Sequence, residues 1–433
     1  MSAPRTERAP GRGLVLSAPA SGAGKTTVTL GVLRALSRRG LPARGAKSGP
    51  DYIDPRFHEA ATGRPCPNLD AFAMTPDRLR SLAAGPGLLV VEGAMGLFDG
   101  ASAGRGSTAH LARILGLPVV LVVDAARMSQ SVAALVEGFA RHDPSLAVAG
   151  VILNRVGSAR HEARLREALA GGPPVLGALP RQDGLAHPSR HLGLVQAGER
   201  GDLAAFLERA ADAVEAAMDL DALAALARPL PPAPAPASRP GPPPAQRIAV
   251  AQDAAFGFVY PHRLAAWRSA GAEVTSFSPL ADEPPRADAD LVILPGGYPE
   301  LHAGRLAAAA RFREGMRRAA ASAAIHGECG GYMALGEGLV DAEGRRHAML
   351  GLLPVETSFA ERRLSLGYRE ARVLEGPFEG DHAAHEFHYA TTLREEGRPW
   401  IVARDAEGED LGGAGVARGM VRGSFLHLIE RRP

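Results

Sequence analysis

The sequence predicts an α/β protein made of two units joined by a proline-rich segment. Short β-branched runs alternate with helical patterns in both parts of the chain, which is typical of parallel sheets covered by helices. Nine of the eighteen residues from Arg228 to Ala245 are Pro, and such a run favours an extended, semi-rigid linker. We therefore expect a first unit at residues 1–227, a linker at 228–246 and a second unit at 247–433.

The first unit is expected to be a doubly wound, mostly parallel sheet, because its strand and helix patterns alternate along the chain. The predicted strands are residues 13–17, 88–92, 119–124, 148–154 and 175–179. The predicted helices are residues 26–39, 108–115, 129–141, 161–169 and 202–227.

The second unit begins the same alternation again and is expected to be another α/β layered unit. Its predicted strands are residues 247–252, 273–277, 291–294 and 323–326. Its predicted helices are residues 260–270 and 303–320, and a tight turn around Cys329 follows the last of these strands.

Composition excludes several classes of function. The net charge of +2 provides no overall basic field for nucleic acid. The only cysteines, Cys66 and Cys329, are far apart in the sequence, which argues against a disulfide framework and favours a reduced, cytoplasmic setting. No run of about 18 apolar residues predicts a membrane span.

A phosphate-binding loop is predicted at residues 21–27, between the first strand and the first helix. Gly22 and Gly24 let backbone N–H groups converge on an anion, Lys25 can reach the β- and γ-phosphates, and Thr26 can place its hydroxyl on Mg²⁺. Pro19 stands where the motif usually has its first Gly. The alternative is a Gly-rich turn without a ligand, but the order of strand, loop, Lys-Thr and helix favours the phosphate site.

Two carboxylates are candidates for the metal that accompanies a triphosphate, since Mg²⁺ takes one or two carboxylates besides phosphates and waters. Glu92 ends an apolar strand, at the sheet edge where ligands bind in open α/β sheets. Asp51 lies in a loop dense in Pro, Gly and charge. Each could instead be an ordinary surface or loop charge.

A cysteine nucleophile is predicted in the second unit. Small neighbours allow a strained strand-to-helix turn at Cys329, and the N–H of Gly330 can face an oxyanion, with a second donor from the loop containing Gly297. His427 is the candidate base. Glu430 follows three residues after His427, and on a regular strand it would point away from His427, which favours a Cys–His pair over a full triad.

These residues resemble the family of cobyrinate or hydrogenobyrinate a,c-diamide synthases along essentially the whole chain. The motifs that carry the resemblance are residues 21–27, 49–58, 68–70, 92–100, 151–155, 190–194, 295–300, 328–331, 366–369 and 385–389. The resemblance implies a dethiobiotin-synthetase-like ATPase unit joined to a class I glutamine amidotransferase unit. It also implies ATP and glutamine as substrates, with ammonia passing between the two sites. In many amidotransferases a Glu two residues after the His orients it, whereas that position here is Ile429 and Glu430 comes one residue later.

The resemblance further implies roles for individual residues. Gly22, Gly24, Lys25, Thr26 and Thr27 would bind ATP, with Asn154 near the adenine. Thr26, Asp51 and Glu92 would hold Mg²⁺. The residues expected at the corrinoid substrate are Asp51, Tyr52, Asp54, His58 and Asp99.

Two alternatives stay open from the sequence. One is a synthase for another tetrapyrrole, such as a nickel-sirohydrochlorin. The other is a regulatory or partitioning ATPase with an inert cysteine unit, against which Ala20 argues, since partitioning ATPases carry a signature lysine there. The sequence does not distinguish a cobalt-containing from a metal-free ring, and it leaves open whether the protein forms a homodimer.

Overall fold

The computed structural model describes residues 11–185, 201–233 and 241–432. The chain divides into two compact units, residues 1–238 and 239–433. The motif at residues 190–194 lies outside the described residues. Within the part described, no helix is long and apolar enough to cross a membrane.

The first unit is built on a parallel sheet with the strand order β3-β2-β4-β1-β5-β6-β7. Its strands are β1 (Arg12–Ser17), β2 (Ala43–Ser48), β3 (Asn68–Leu69), β4 (Leu88–Glu92), β5 (Val119–Asp124), β6 (Val148–Val156), β7 (Val175–Pro180) and β8 (Arg228–Pro229). Its helices are α1 (Lys25–Arg38), α2 (Asp54–Thr62), α3 (Pro76–Ala83), α4 (Thr108–Leu115), α5 (Ser131–His142), α6 (Ala159–Ala168), α7 (Leu203–Ala217) and α8 (Leu220–Leu226). The predicted α/β class and parallel sheet are confirmed.

Strand β1 lies at the point where the strand order changes direction, since β4 pairs with it on one side and β5 on the other. Apolar side chains of β1 and β5 are completely buried, among them Leu14, Leu16 and Val122. The loops that follow the carboxyl ends of these strands therefore open on one edge of the sheet, where ligands bind in such folds.

Several elements of the first unit differ from the expected ones. Strands β2 and β3 and helices α2 and α3 were not predicted. Strand β8 pairs antiparallel with the beginning of β1, so the first two residues of the predicted linker belong to the sheet. The expected helix at 202–227 is broken, because Met218 is extended and forms a β-bridge with Gly177 of β7. Asp219 then caps α8 by accepting the N–H of Ala222 (2.8 Å).

The second unit contains a mixed sheet in the order β10-β9-β11-β12-β22-β21, whose first five strands are parallel. These strands are β9 (Arg247–Ala251), β10 (Glu273–Phe277), β11 (Leu291–Leu294), β12 (Ala324–Glu328), β21 (Val416–Arg418) and β22 (Val421–Ser424). The helices are α9 (Pro261–Ser269), α10 (Ala303–Ala308), α11 (Ala310–Ala319) and α12 (Gly330–Leu335). The expected helix at 303–320 is interrupted at Ala309, whose backbone leaves the helical region (φ −73°, ψ 82°).

The remaining strands form two smaller sheets that the sequence analysis did not anticipate. One sheet has the order β14-β13-β15-β18 and the other, fully antiparallel, has the order β20-β19-β16-β17-β23. Their strands are β13 (Gly338–Val340), β14 (Arg346–Ala348), β15 (Val355–Ser358), β16 (Ser365–Val373), β17 (Gly380–His388), β18 (Thr391–Glu395), β19 (Ile401–Asp405), β20 (Asp410–Ala414) and β23 (Leu426–Arg431). The antiparallel sheet matters for chemistry because β23 carries His427.

Candidate active sites

The loop between β1 and α1 has the backbone expected of a phosphate cradle. Gly22 and Gly24 both have left-handed backbones (φ 82° and 83°), which residues with a Cβ rarely adopt. A Cβ at Gly24 would also lie 2.2 Å from Nδ2 of Asn154, which donates a hydrogen bond to the carbonyl of Ala23 (2.8 Å). Asn154 thus supports the loop from the end of β6, whereas its expected contact with adenine stays a prediction.

The first residues of α1 point their polar groups into the same region. Burial and the neighbouring Lys47 lower the pKa of Lys25. The hydroxyl of Thr26 donates to Oε1 of Glu92 at 2.6 Å and lies 3.4 Å from Oδ2 of Asp54. Thr27 donates to the carbonyl of Leu185 (3.3 Å).

Lys47, at the end of β2, is the residue of this site that the sequence analysis missed. Its ammonium donates to Oδ2 of Asp54 (2.5 Å) and Oε1 of Glu92 (2.8 Å), and it lies 3.9 Å from Oδ2 of Asp51. Burial alone would lower the pKa of Lys47, but the carboxylates of Asp54 and Glu92 raise it above its ordinary value. A lysine directly before a loop rich in acidic residues was the available signal.

The carboxyl groups around Lys47 have very different environments. Burial and the charge of Asp51 raise the pKa of Asp54 to about 7. Burial would also raise the pKa of Glu92, but Lys47 and His58 hold it well below its ordinary value. Glu92 therefore stays ionised, and Asp54 changes its charge most easily near neutral pH.

His58 and Cys66 lie behind Glu92. Nε2 of His58 is 2.7 Å from Oε2 of Glu92, Nδ1 of His58 is 3.4 Å from Sγ of Cys66, and all three side chains are fully buried. Burial raises the pKa of the Cys66 thiol well above its ordinary value. His58 thus supports Glu92, and its expected contact with the substrate stays a prediction.

The oxygen donors around Thr26 fit Mg²⁺, a hard cation that needs only one or two carboxylates when it is bound with phosphates. Asp54 and Glu92 share the Thr26 hydroxyl, whereas Oδ1 of Asp51 accepts the N–H groups of Ile53 (2.8 Å) and Asp54 (3.0 Å) at the start of α2. Asp54 therefore becomes a further candidate metal ligand beside Thr26 and Glu92, and the expected role of Asp51 at the metal stays a prediction. No group of three or more His, Cys, Asp or Glu placed to hold a metal occurs in the described residues.

The other residues expected at the substrate lie in two loops. Tyr52 is buried, with 7% of its surface exposed. Oδ2 of Asp99 accepts the N–H of Gly96 (2.9 Å), and in the same loop Met95 has a left-handed backbone (φ 48°) and an exposed side chain. Substrate contacts of Tyr52 and Asp99 stay predictions.

A cavity of about 280 Å³ opens beside the phosphate loop. Its lining consists of loop residues and side chains from β5, α5 and the segment between them: Pro19, Ala20, Ser21, Gly22, Ala23, Val123, Asp124, Met128 and Leu135. The loop therefore borders a space with an apolar wall and one acidic group.

In the second unit, Cys329 lies in the strained turn that the sequence predicts. Its backbone (φ 48°, ψ −106°) connects β12 to α12, and its Sγ is 3.7 Å from the carbonyl of Phe387. The turn is packed tightly, since a Cβ at Gly331 would lie 1.8 Å from the carbonyl oxygen of Leu294. Burial and the charge of Glu300 raise the pKa of the Cys329 thiol.

The two glycines expected to form an oxyanion hole lie against each other. A Cβ on Gly330 would be 2.9 Å from the backbone nitrogen of Gly297. The neighbouring Gly296 packs directly against the ring of His427, since a Cβ on Gly296 would be 2.3 Å from Cε1 of that imidazole. The segment with Gly296 and Gly297 therefore brings together the nucleophile turn and the candidate base.

His427 is completely buried on β23. Burial lowers its pKa to about 4, against the opposing effect of Glu328, so the imidazole is neutral at pH 7 and can accept a proton. Glu430 has a contact of 3.7 Å with Nε2 of His262. The pairing of β17 with β23 shifts register at Ile429, so the strict alternation used to orient Glu430 does not hold across this point.

Glu300 is an acidic residue of the second unit that the sequence analysis gave no role. It follows Gly297 in a short 3₁₀ turn, and its Oε2 is buried and makes no hydrogen bond. Burial raises the pKa of Glu300 to about 8.

Comparisons with known proteins agree with this division of chemistry. Residues 14–195 match the model of the CobQ/CobB/MinD/ParA nucleotide binding domain, and residues 247–432 match that of the CobB/CobQ-like glutamine amidotransferase domain. A hydrogenobyrinate a,c-diamide synthase of Sinorhizobium sp is 58% identical over 96% of this chain and 98% of its own length. The chain belongs to the hydrogenobyrinate a,c-diamide synthase family.

Other members have the same full-length agreement. The hydrogenobyrinate a,c-diamide synthase of Brucella anthropi is 56% identical over 97% of this chain and 98% of its own length. That of Rhizobium meliloti is 56% identical over 96% of this chain and 99% of its own length. The family resemblance found in the sequence motifs is confirmed, and so is a glutamine-dependent amide ligase with a nucleotide-binding domain.

Proposed function

We propose that this family member converts the a and c acetate carboxylates of hydrogenobyrinate to amides, using ATP and glutamine. The observation that carries the proposal is that relatives named for this reaction match 96–97% of the chain, and therefore both units. Those names favour the metal-free ring over cobyrinate. A cytoplasmic location and a homodimer stay predictions.

Cys329 and His427 account for the release of ammonia. The thiol gives its proton to the neutral imidazole, and the thiolate sulfur then bonds to the amide carbon of glutamine. When the C–N bond breaks, the imidazolium returns the proton to the departing nitrogen. Water then hydrolyses the thioester to glutamate, and the N–H groups of Gly297 and Gly330 would stabilise the oxyanions.

The first unit accounts for activation of the ring carboxylate. A free carboxylate resists attack by ammonia, whereas an acyl phosphate made from ATP has a good leaving group. Lys25 would neutralise charge on the transferred phosphoryl group, and Lys47 supplies a second buried cation nearby. Mg²⁺ would supply further positive charge at the phosphates, held by Thr26 and Glu92 together with Asp51 or Asp54.

The test compares wild type with Cys329→Ala in the presence of ATP and Mg²⁺. Hydrogenobyrinate and cobyrinate are each supplied with glutamine or with ammonium, and products are identified by mass spectrometry. We expect the variant to make diamide from ammonium but not from glutamine, since ammonium bypasses the thioester. Comparison of the two rings identifies the substrate.

Failure of wild type to amidate either ring would refute the proposal. Amidation of a nickel-sirohydrochlorin instead would identify another tetrapyrrole synthase. ATP hydrolysis stimulated only by a partner protein or DNA would identify a regulatory ATPase.

A further inference from the structure

The carboxylate that faces the candidate base comes from the residue directly before the nucleophile. Oε2 of Glu328, the last residue of β12, lies 4.0 Å from Nδ1 of His427. Both side chains are almost completely buried, and they are brought together because β12 pairs with β22 directly before the chain enters β23. Glu430, in contrast, contacts His262.

Glu328 is held in place by two cationic or polar partners. Its Oε1 accepts a hydrogen bond from Arg263 (3.0 Å) and lies 3.0 Å from Nε2 of His326. Arg263 also donates to the carbonyl of Leu428, one residue after His427 (2.7 Å). Oε1 of Glu328 therefore contacts Arg263 and His326, while Oε2 is the oxygen directed at the imidazole of His427.

We propose that Glu328 is the positioning residue for His427, in the role that a Glu two residues after the His plays in many amidotransferases. Its carboxylate orients Nδ1–H toward itself, which leaves Nε2 as the atom that takes the proton of Cys329. It also stabilises the imidazolium that forms in that step and remains ionised throughout. Catalytic hydrogen bonds are often long before substrate binds, so 4.0 Å is an acceptable starting distance.

The charges around this pair support the assignment. Burial would raise the pKa of Glu328, but Arg263 and His326 hold it at about 2. The titratable groups that face His427 come from α9, β12 and β17: Arg263, Glu328, His385, Glu386 and His388. Of the two carboxylates among them, Glu328 has the larger effect on His427, and Glu386 is paired with Arg369 and His388.

The inference rests on the proposed function, and the experiment separates the two. Wild type, Glu328→Gln and the matched control Glu430→Gln are assayed for glutamate release and for diamide formation from glutamine or ammonium. We expect Glu328→Gln to lower kcat with glutamine by about 10- to 100-fold, with little change in KM, because general-base catalysis contributes ~10²–10⁴-fold. Diamide formation from ammonium should persist in both variants.

The pH profile distinguishes positioning from a merely structural role. Loss of the carboxylate should move the acidic limb of kcat/KM for glutamine to lower pH, because Glu328 raises the pKa of His427. A purely structural residue would lower kcat equally at every pH. Wild-type kcat and an unmoved acidic limb in Glu328→Gln would overturn the inference, as would the same losses in Glu430→Gln.

A second variant guards against misfolding, since Glu328→Gln leaves the Arg263 guanidinium without its carboxylate. The double variant Arg263→Gln/Glu328→Gln removes both charges, and we expect it to show the same fall in kcat and the same shift of the acidic limb. Recovery of wild-type kcat in the double variant would also overturn the inference. If wild type itself fails to form diamide from ammonium, the proposed function fails independently of Glu328.

Discussion

The substitution Gly296→Ala tests whether the glycine segment sets the position of the base. A Cβ at Gly296 would lie 2.3 Å from Cε1 of His427 and 3.2 Å from both ring nitrogens, whereas ordinary contacts begin at 3.4 Å. The imidazole must therefore move by about 1.1 Å, or the loop must move away from it by the same amount. A displacement of ~1 Å in a catalytic group can cost ~10²-fold in rate, so we expect glutamine-dependent amidation to fall about 100-fold.

The assay measures diamide formation from glutamine and from ammonium in parallel. The ammonium-dependent rate should stay within about twofold of wild type, because activation of the carboxylate uses the other unit. Gly304→Ala is the matched control, since a Cβ there meets its nearest neighbour, His347, at an ordinary 3.8 Å. A Gly296→Ala variant with a wild-type glutamine-dependent rate and an intact fold would refute the reasoning.

Three further substitutions test other parts of the molecule. Gly24→Ala should raise KM for ATP more than Gly22→Ala does. Both glycines have a φ near +80°, but only the Cβ added at Gly24 would also collide with Asn154. Equal increases in KM would assign the loss to backbone strain alone. Lys47→Met should lower the free energy of unfolding by ~3–5 kcal/mol, because it leaves the buried carboxylates of Asp54 and Glu92 without their cation. The thermal midpoint of unfolding measures the loss, which should be far larger than in Lys47→Arg. Equal losses in the two variants would show that the charge is not the cause. The pKa of Glu300 rises from 4.5 to about 8 on folding, so its contribution to stability is complete below pH 4.5 and is lost as pH rises through 8. Glu300→Gln should therefore gain stability relative to wild type between pH 5 and 8, by up to ~1.4 kcal/mol per pH unit, and parallel pH curves would contradict this.

The phosphate loop and the nucleophile turn could be predicted from the sequence because each depends on residues close together in the chain. Gly22, Gly24 and Lys25 lie in one turn, and Cys329 and Gly330 lie in another, so spacing alone indicates their backbone. Apolar runs predicted β1, β4, β5, β6 and β7 for the same reason, since buried strands read as continuous hydrophobic segments, whereas the polar β2 and the two-residue β3 were missed.

Contacts made by distant segments could not be predicted in this way. In the sequence, Lys47 cannot be distinguished from an ordinary charged residue. It is buried beside Glu92 because β2 lies between β3 and β4 in the sheet. Glu328 received no role from the sequence, because its pairing with Arg263 depends on packing of α9 against the sheet. The break at Met218 is equally non-local, since its cause is a bridge to Gly177.

The strained backbone of Cys329 has a consequence for how such a chain evolves. A side chain held at φ 48° and ψ −106° costs ~1–3 kcal/mol, which glycine at the same position would not incur. Variants drawn from a random library and selected only for resistance to proteolysis or heat should therefore accumulate glycine at position 329. Only selection for growth that depends on glutamine as nitrogen donor would keep the cysteine there. Selection for stability alone would therefore remove Cys329, the proposed nucleophile.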